Sequence, residues 1–531
     1  MRQDFLRTEK DTSPEIVSFE RFGTSNKRIT RIILDEWRHS DKIEDIKTAR
    51  EYYMVRNTRI AEKTRGYTDA QGDRQENHLL SNEKLKSAFL RYSTKQKVNY
   101  AFGKPFAINV ENVNLDAEQQ KDDEAGAEYQ REWEKLIDKH FRKTMKRLAT
   151  SAVYAGIAWC YVWIDGGKLK ITDIASDTIY PQWSDAAHTE LDVIIREYMQ
   201  TIYEDDERDD IIRVEYWDDK TVERYIDKDG ELVPDTYPVN GQEAGNSHMR
   251  RQISAADTET GEEAIDYEDI SWGRIPFIAL KGDEDELPLL NVIKDHIDAY
   301  DMLDSESVDT IHDDIDPLLV VENMSPDVGG LTQARELIKN SRIISTDSDG
   351  KVYYVQVKAD ITAAQMKQEA LRKEIREFSA TVDTQDIKFG SNPSGVALKA
   401  MYQDLDTYIN GLETEFEVFM ENLKYFFDRW LEFRGIGTVE QWEQYKATFT
   451  LDRDMMINED ALMDNAVKLQ NLGVSQETLF GYIPFVESAE VEKARLSAER
   501  EEMMEQQREM MELQSEAFAL QRDVEANDGE A

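Results

Sequence analysis

A chain of 531 residues with 65 Lys+Arg against 109 Asp+Glu carries a formal net charge of -44, and its length allows about two to four domains. So acidic a balance excludes gripping nucleic acid over a broad surface, because counterion release rewards only Lys and Arg laid on phosphate. Wholesale disorder is excluded as well: 40% of the residues are hydrophobic, with 9 Trp, 23 Tyr and 19 Phe to bury.

To about Tyr100 the spacing predicts helices. In DKIEDIKTAREYYMVRNTRI the apolar residues Ile43, Ile46, Tyr53 and Ile60 recur with charges between them. NEKLKSAFLRYSTKQKVNYAFGKP predicts a second helix, ended by Gly103 and Pro105. Its Lys84, Lys86, Arg91, Lys95 and Lys97 read as a solvated face pairing with acidic neighbours, with a nucleic-acid patch as the lesser alternative. A third helix runs through EYQREWEKLIDKHFRKTMKRLATSAVYAG. The texture then changes. IAWCYVWIDGGKLKITDI reads as two strands around the hairpin signal Asp165-Gly166-Gly167, and LDVIIREYMQTIY, DIIRVEYWDD and TVERYIDKDGELV continue a strand-rich part over about 150–235. Residues 238–269 are polar and without pattern, which predicts a flexible insertion.

From Pro288 the spacing is helical again, with Leu290, Ile293, Ile297, Tyr300, Ser307 and Ile311 marking one mostly apolar face. Asp295, Asp298, Asp301 and Asp304 follow one another at i, i+3 spacing. Like charges that close cost an isolated helix about a few tenths of a kcal/mol per pair. The row is either a solvated face or an acidic lining with a purpose. Pro317 ends this helix. PLLVVEN and KVYYVQV read as strands, LTQARELIKN as a short helix between them, and DSDG as a turn. Thr362-x-x-Gln365 offers a capping box to a helix with Ala364, Leu371, Ile375 and Phe378 on one face. After a glycine-containing loop, Val396 to about Phe433 predicts a long aromatic-rich helix broken at Gly435. ATFTLDRDM reads as a strand, and NEDALMDNAVKLQNLGVSQETLFGYIPFV as a helix pair with a stop at Gly473. The chain closes on a Glu/Met/Gln-rich helix with an acidic end. Its Met pairs, Met503/Met504 and Met510/Met511, suggest helix–helix packing rather than a cofactor site.

The loop before the long helix, KFGSNPSGVALKAMYQDLD, has Gly390 and Gly395 spaced as in a phosphate-gripping loop. Val396 and Ala397, however, stand where the phosphate-reaching Lys and the magnesium-holding hydroxyl belong. The segment before it reads as helix, not as the required strand. Cys160 is the only cysteine, which excludes disulfide frameworks and cysteine-built metal sites within one chain. The 7 His form no HExxH or paired metal motif, and neither a GxSxG elbow nor an EF-hand loop is complete. No enzyme activity, metal or cofactor is expected. MRQDFLRTEKDTSPE has no apolar signal-peptide core, and the longest apolar run, Gly156–Ile164, is about half of a membrane span. The expectation is folding in a reducing cytoplasm, with no membrane partner.

The order of these elements is joined by YAFGKPFAI after a basic helix, SGVALKAMYQDLD opening the long helix, and LGVSQETLFGYIPFVESAEVEKARLSAERE near the end. Together they resemble the portal proteins of tailed double-stranded-DNA bacteriophages, of the type found in long-tailed phages of Gram-positive hosts. The resemblance implies an α+β, predominantly helical portal fold of wing, stem, clip and crown, forming a ring with an axial channel. Residues 1–287 would be the wing, 288–316 and 360–381 stem helices, 317–359 the clip and 382–395 the tunnel loop. Residues 396–434 would be a long wing/crown helix, and 435–531 the crown and acidic C-terminal tail.

The tunnel loop so implied comprises Asp383, Asp386, Lys388, Phe389, Gly390, Ser391, Asn392, Pro393, Ser394 and Gly395. In it Lys388, the one cation, is the candidate for a transient phosphate contact, and Ser394 can cap the next helix. Asp295, Asp298, Asp301 and Asp304 would line the channel, repelling the duplex at short range while salt screens the charge beyond roughly 8 Å. The implied function is a portal ring at one capsid vertex, a conduit for DNA in packaging and ejection and a docking platform for other virion proteins. Implied partners are further copies of the chain, about twelve to a ring or thirteen when expressed alone, and double-stranded DNA without sequence specificity. The terminase large subunit, a head-completion/adaptor protein, and the major capsid and scaffold proteins complete the set. The place would be the virion's portal vertex, assembled in the host cytoplasm. The alternative is a non-portal virion structural or scaffold protein built from acidic helices, against which the α/β unit between two helices argues.

Overall fold

The computed structural model of the protein describes residues 25–68, 74–76, 81–116, 119–204, 207–235, 247–256, 263–314, 318–324, 346–355, 361–383, 395–451, 453, 467–475 and 479–480, with short stretches between 492 and 504. Two compact units result, Met1–Asp383 with Asp404–Asp454, and Thr384–Gln403 with Met455–Ala531.

The first unit opens on α1 Asn26–Trp37, α2 Asp41–Tyr53 and a single turn, α3 Thr58–Ala61. The long first helix expected from periodicity is therefore broken at Met54-Val55, where Val55 takes φ +60°. Ser40 caps α2 by accepting from the Ile43 N–H. A small hairpin follows, β1 Gly66–Thr68 and β2 Arg74–Glu76, then an extended segment over 81–88 and α4 Phe89–Phe102. The expected helix from Asn82 thus starts seven residues late. Its basic residues do not share a solvated face either. Lys97 is fully buried, with its Nζ 3.3 Å from the centroid of the Tyr408 ring.

After β3 Ala107–Asn112, α5 Glu124–Leu136 and α6 Lys139–Ala155 replace one predicted helix, because Asp138 restarts it by accepting from the Phe141 N–H at 2.8 Å. β4 Ile157–Asp165 and β5 Lys168–Ile174 are antiparallel, with Asp165 opposite Lys168. Gly166 and Gly167 alone make the turn. Their φ values of 56° and 74° are those of a type I′ hairpin, which suits strand twist and which a Cβ disfavours.

Five more strands form an antiparallel meander in chain order: β6 Ile179–Trp183, β7 Leu191–Glu204, β8 Glu207–Trp217, β9 Val222–Lys228 and β10 Glu231–Pro234. In the stretch expected to be patternless, β11 Met249–Ala256 pairs with β12 Glu263–Ile270. A two-stranded ribbon bonds its own backbone and needs no apolar face, so side-chain pattern did not signal it. β13 Phe277–Lys281 then flanks β4. Over these sheets α1 lays Ile29, Ile33, Leu34 and Trp37, which join Trp159, Trp183, Tyr216 and Phe277 in one buried cluster.

α7 Leu289–Asp314 and α8 Ile361–Phe378 bracket an antiparallel pair, β14 Leu318–Met324 and β15 Thr346–Val355. DSDG is not a turn between elements. It lies inside β15, where the register shifts between Glu322 and Met324. The helix expected from LTQARELIKN, and Pro317, lie outside the described residues. α8 begins at Ile361, so Thr362 is already helical rather than its cap.

α9 Gly395–Phe433 is the longest helix described, with 39 residues. Its later part packs Phe416, Phe419, Leu423 and Phe427 into the first unit. After α10 Val439–Trp442, β16 Tyr445–Thr450 returns to pair with β3, Tyr445 opposite Asn112. Trp133 stacks on Phe427 at 3.9 Å and Tyr129 on Trp442 at 4.8 Å, joining α5, α9 and α10. In the second unit a helix ends, as its sequence predicts, at Gly473 with φ +81°. Among the described residues no helix is long and apolar enough to cross a membrane.

Candidate functional site

The extended segment 81–88 owes its shape to α7. Asp301, Ser305 and Asp309 recur at i, i+4 and i+8, one stripe of the helix, and all three are buried. The Glu83 N–H donates to Asp309 Oδ1 at 2.7 Å, the Leu85 N–H to Ser305 Oγ at 3.0 Å, and the Ser87 N–H to Asp301 Oδ1 at 2.9 Å. Two residues of extended chain advance about 6.6 Å and four residues of helix about 6.0 Å. Alternate amides therefore meet successive helical turns, and the side chains of α7 serve as a partner strand.

Each end of this zipper is tied again. Asn57 Nδ2 donates to Asp301 Oδ2 at 2.5 Å and to Ser87 O at 3.1 Å. Lys63 Nζ donates to Asp309 Oδ2 at 2.5 Å and to Glu83 O at 3.2 Å. The two carboxylates titrate in opposite directions. Burial opposes ionisation of Asp309, but Lys63 and the Glu83 N–H outweigh it and hold the carboxyl below its ordinary range. Burial also pushes the Asp301 carboxyl up, and its bonds from Ser87 and Asn57 offset this only in part.

The row Asp295, Asp298, Asp301 and Asp304 is consequently not one exposed face. Three residues turn a helix by about 300°, so the row drifts by about 60° at each step. Asp295 is exposed, Asp298 and Asp304 are half-buried and Asp301 is interior. Asp298 accepts from the Tyr52 hydroxyl at 2.5 Å and from Lys294 Nζ at 2.7 Å. Asp304 accepts from Gln368 Nε2 at 3.1 Å. That bond and the edge contact of His296 with Phe378, ring centroids 5.1 Å apart, set α8 antiparallel to α7. Leu371 and Ile375 are buried between these ends, while Ile311 and Phe378 stay exposed.

Beyond α8 the chain is anchored before it leaves for residue 384. Gln96 accepts from the Val382 N–H at 3.0 Å and donates to its carbonyl at 2.9 Å, so one side-chain amide does the work of a backbone partner. Asp383 pairs with Arg376. Of the predicted loop site, Asp383 closes this described segment and Gly395 opens α9. Asp386, Lys388, Phe389, Gly390, Ser391, Asn392, Pro393 and Ser394 lie outside the described residues. Sequence reasoning missed Lys63, Gln96 and Asp309, although the i, i+4 repeat Asp301-Ser305-Asp309 was a readable signal.

Comparison with known proteins gives concordant results. The family described as phage portal protein, SPP1 Gp6-like, matches residues 35–507. A portal protein of Bacillus phage SPP1 is 24% identical over 458 residues, 85% of this chain and 82% of that one. A portal protein of Clostridium phage phiCD119 is 23% identical over 483 residues, 87% of this chain and 93% of that one. Among solved structures, an HK97-family phage portal protein from Corynebacterium diphtheriae aligns with 59% of this chain and 88% of its own, at 12% identity and a TM-score of 0.23. A score that low carries no argument about the fold.

Proposed function

The chain belongs to the phage portal protein family of the SPP1 Gp6-like type, and from that premise we propose that about twelve copies close into a ring at one capsid vertex, around an axial channel for double-stranded DNA. DNA enters through this channel in packaging and leaves through it in ejection, without being read for sequence. α7 and α8 are the stem and β14 with β15 part of the clip, on which the terminase large subunit docks first and a head-completion/adaptor protein later. Major capsid and scaffold proteins meet the outside of the ring. The protein hydrolyses no nucleotide itself, since Val396 and Ala397 replace the two groups that such chemistry needs.

The observation that carries this reading is the family match over residues 35–507. The order helix, strand pair, helix in Leu289–Phe378 supports the stem and clip assignment. Exposed apolar side chains support assembly: Met199 and Tyr203 on β7 are 71% and 76% exposed, an arrangement that further copies would cover. A net charge of -44 suits a conduit that must not hold its cargo. Within the loop 382–395, Lys388 touches phosphate transiently. Of the acidic row, Asp295 is offered for the channel wall, since Asp298, Asp301 and Asp304 are engaged within the chain. Negative-stain microscopy and light scattering of the purified protein test the proposal. Rings with a central hole are expected, and a monomer at every concentration and salt would refute it.

A further inference from the structure

One cavity, of about 270 Å³, runs against the charge of the whole chain. It lies between the exit of α4 and the first turns of α6, and five cations line it with no carboxylate among them: Lys104, Lys139, Arg142, Lys143 and Lys146. In a protein with 109 Asp+Glu against 65 Lys+Arg, that concentration needs a cause.

Helix stability does not supply one. Lys139, Arg142, Lys143 and Lys146 follow at i, i+3, i+4 and i+7, so they repel one another along one face of α6. They also occupy its N-terminal turns, where the macrodipole disfavours cations. Asp138 already caps that end. Internal pairing does not supply a cause either. Among the described residues, none of these four side chains has an ion pair or hydrogen bond, whereas Arg147 on the next face pairs with Asp173 at 3.0 Å. Arg142 Nε is buried without a partner among them. The cavity floor is preorganised: Phe106 packs on Phe141 and Phe416 at 6.1 and 5.7 Å between ring centroids, and Phe102 on Phe416 at 5.3 Å.

We propose that this cavity is a phosphate site that takes the backbone of double-stranded DNA. The choice of DNA rests on the portal reading, while the anion site stands on the cavity itself. Two features favour a backbone over an acidic peptide. The cations from Lys139 to Lys146 span about 10 Å of helix, a row suited to successive phosphates. Phe102 and Phe106 line the cavity but are buried to 3% and 7% exposure, so they offer a peptide side chain little apolar surface to grip. The acidic remainder of the chain keeps such a contact local and reversible.

The test uses the full chain and a short random-sequence duplex, titrated over a range of salt. The triple variant Lys139→Gln/Lys143→Gln/Lys146→Gln is compared with Lys47→Gln/Lys168→Gln/Lys446→Gln, which removes the same charge from exposed positions elsewhere. The cavity variant is expected to lower the slope of log affinity against log salt by about two to three, and to bind at least tenfold more weakly at low salt. The control should match the parent within twofold, and both should keep the parent's melting temperature. Equal slopes for parent and cavity variant, no duplex binding by the parent, or tighter binding of polyglutamate than of duplex at the same site would each overturn the proposal. Microscopy of the same preparations reads ring formation separately, so a parent that binds duplex without forming rings would sink the portal reading and leave the site.

Discussion

Lys97 and Asp309 are both charged groups withdrawn from water, and they differ in what meets them there. Lys97 meets the face of Tyr408, and among the described residues its Nζ has no hydrogen-bond partner. Burial lowers its pKa from 10.5 to about 7. The unfolded chain therefore holds a proton that the folded chain has released between those two values. This group makes stability rise as pH rises from about 7 to about 10. Lys97→Met should raise the thermal midpoint at pH 7 and flatten that rise, as melting curves at stepped pH will show. A lower midpoint with the slope intact would count against it. Asp309 instead meets Lys63, whose side chain is almost as buried as its own. Asp309→Asn leaves that ammonium without its counterion, at a cost of about 3–5 kcal/mol in denaturant unfolding. Asp301→Asn strands no buried cation and should cost less, about 1–2 kcal/mol. The lowered carboxyl of Asp309 contributes stability that is present above its ordinary pKa and lost as pH falls through the folded value. Acid sensitivity should therefore shrink in Asp309→Asn and persist in Asp301→Asn.

The element that depends on these carboxylates is the segment 81–88, and its alternation makes it testable by position. The Leu85 N–H is bonded to Ser305, so Leu85→Pro removes a bond and leaves a buried hydroxyl without its donor, at about 1–3 kcal/mol. Lys86, whose amide has no such partner on α7, should tolerate Pro with less loss. Equal losses in chemical denaturation would show that the zipper does not hold the segment. The same segment shows why sequence reading stopped where it did. The Asp165-Gly166-Gly167 hairpin was legible because everything that decides it is within the turn. Residues 82–88 read as helix because their acceptors stand 214 to 226 positions away, on α7. The apolar half of α7 was legible from its period, with Leu290, Ile293 and Ile297 all buried. Its interior aspartates were not, since a charge in a sequence reads as solvent until its partner is known. The pairing of β16 with β3 had no local signature at all.

At the scale of the whole molecule, a charge of -44 and the DNA channel proposed above make the same demand: contacts with phosphate must be few and weak. On the proposed reading, the segment between α8 and α9 meets that demand with a single cation, Lys388, and the chain leading to it is held at Val382 by Gln96. If this loop faces the channel, its substitution acts on DNA movement and not on folding. Lys388→Glu reverses the one phosphate-seeking charge and leaves Gly390, Pro393 and Gly395 in place. Rings should form as in the parent, while packaged-DNA yield or retention changes severalfold. Gly390→Val should be harsher, because a branched Cβ closes backbone angles that glycine leaves open. Both variants are to be compared with the parent in a packaging assay, with ring formation scored on the same preparations. Rings lost in Lys388→Glu would mean that the lysine serves assembly. Rings intact and packaging unchanged in both variants would reduce the loop to a connector between two helices.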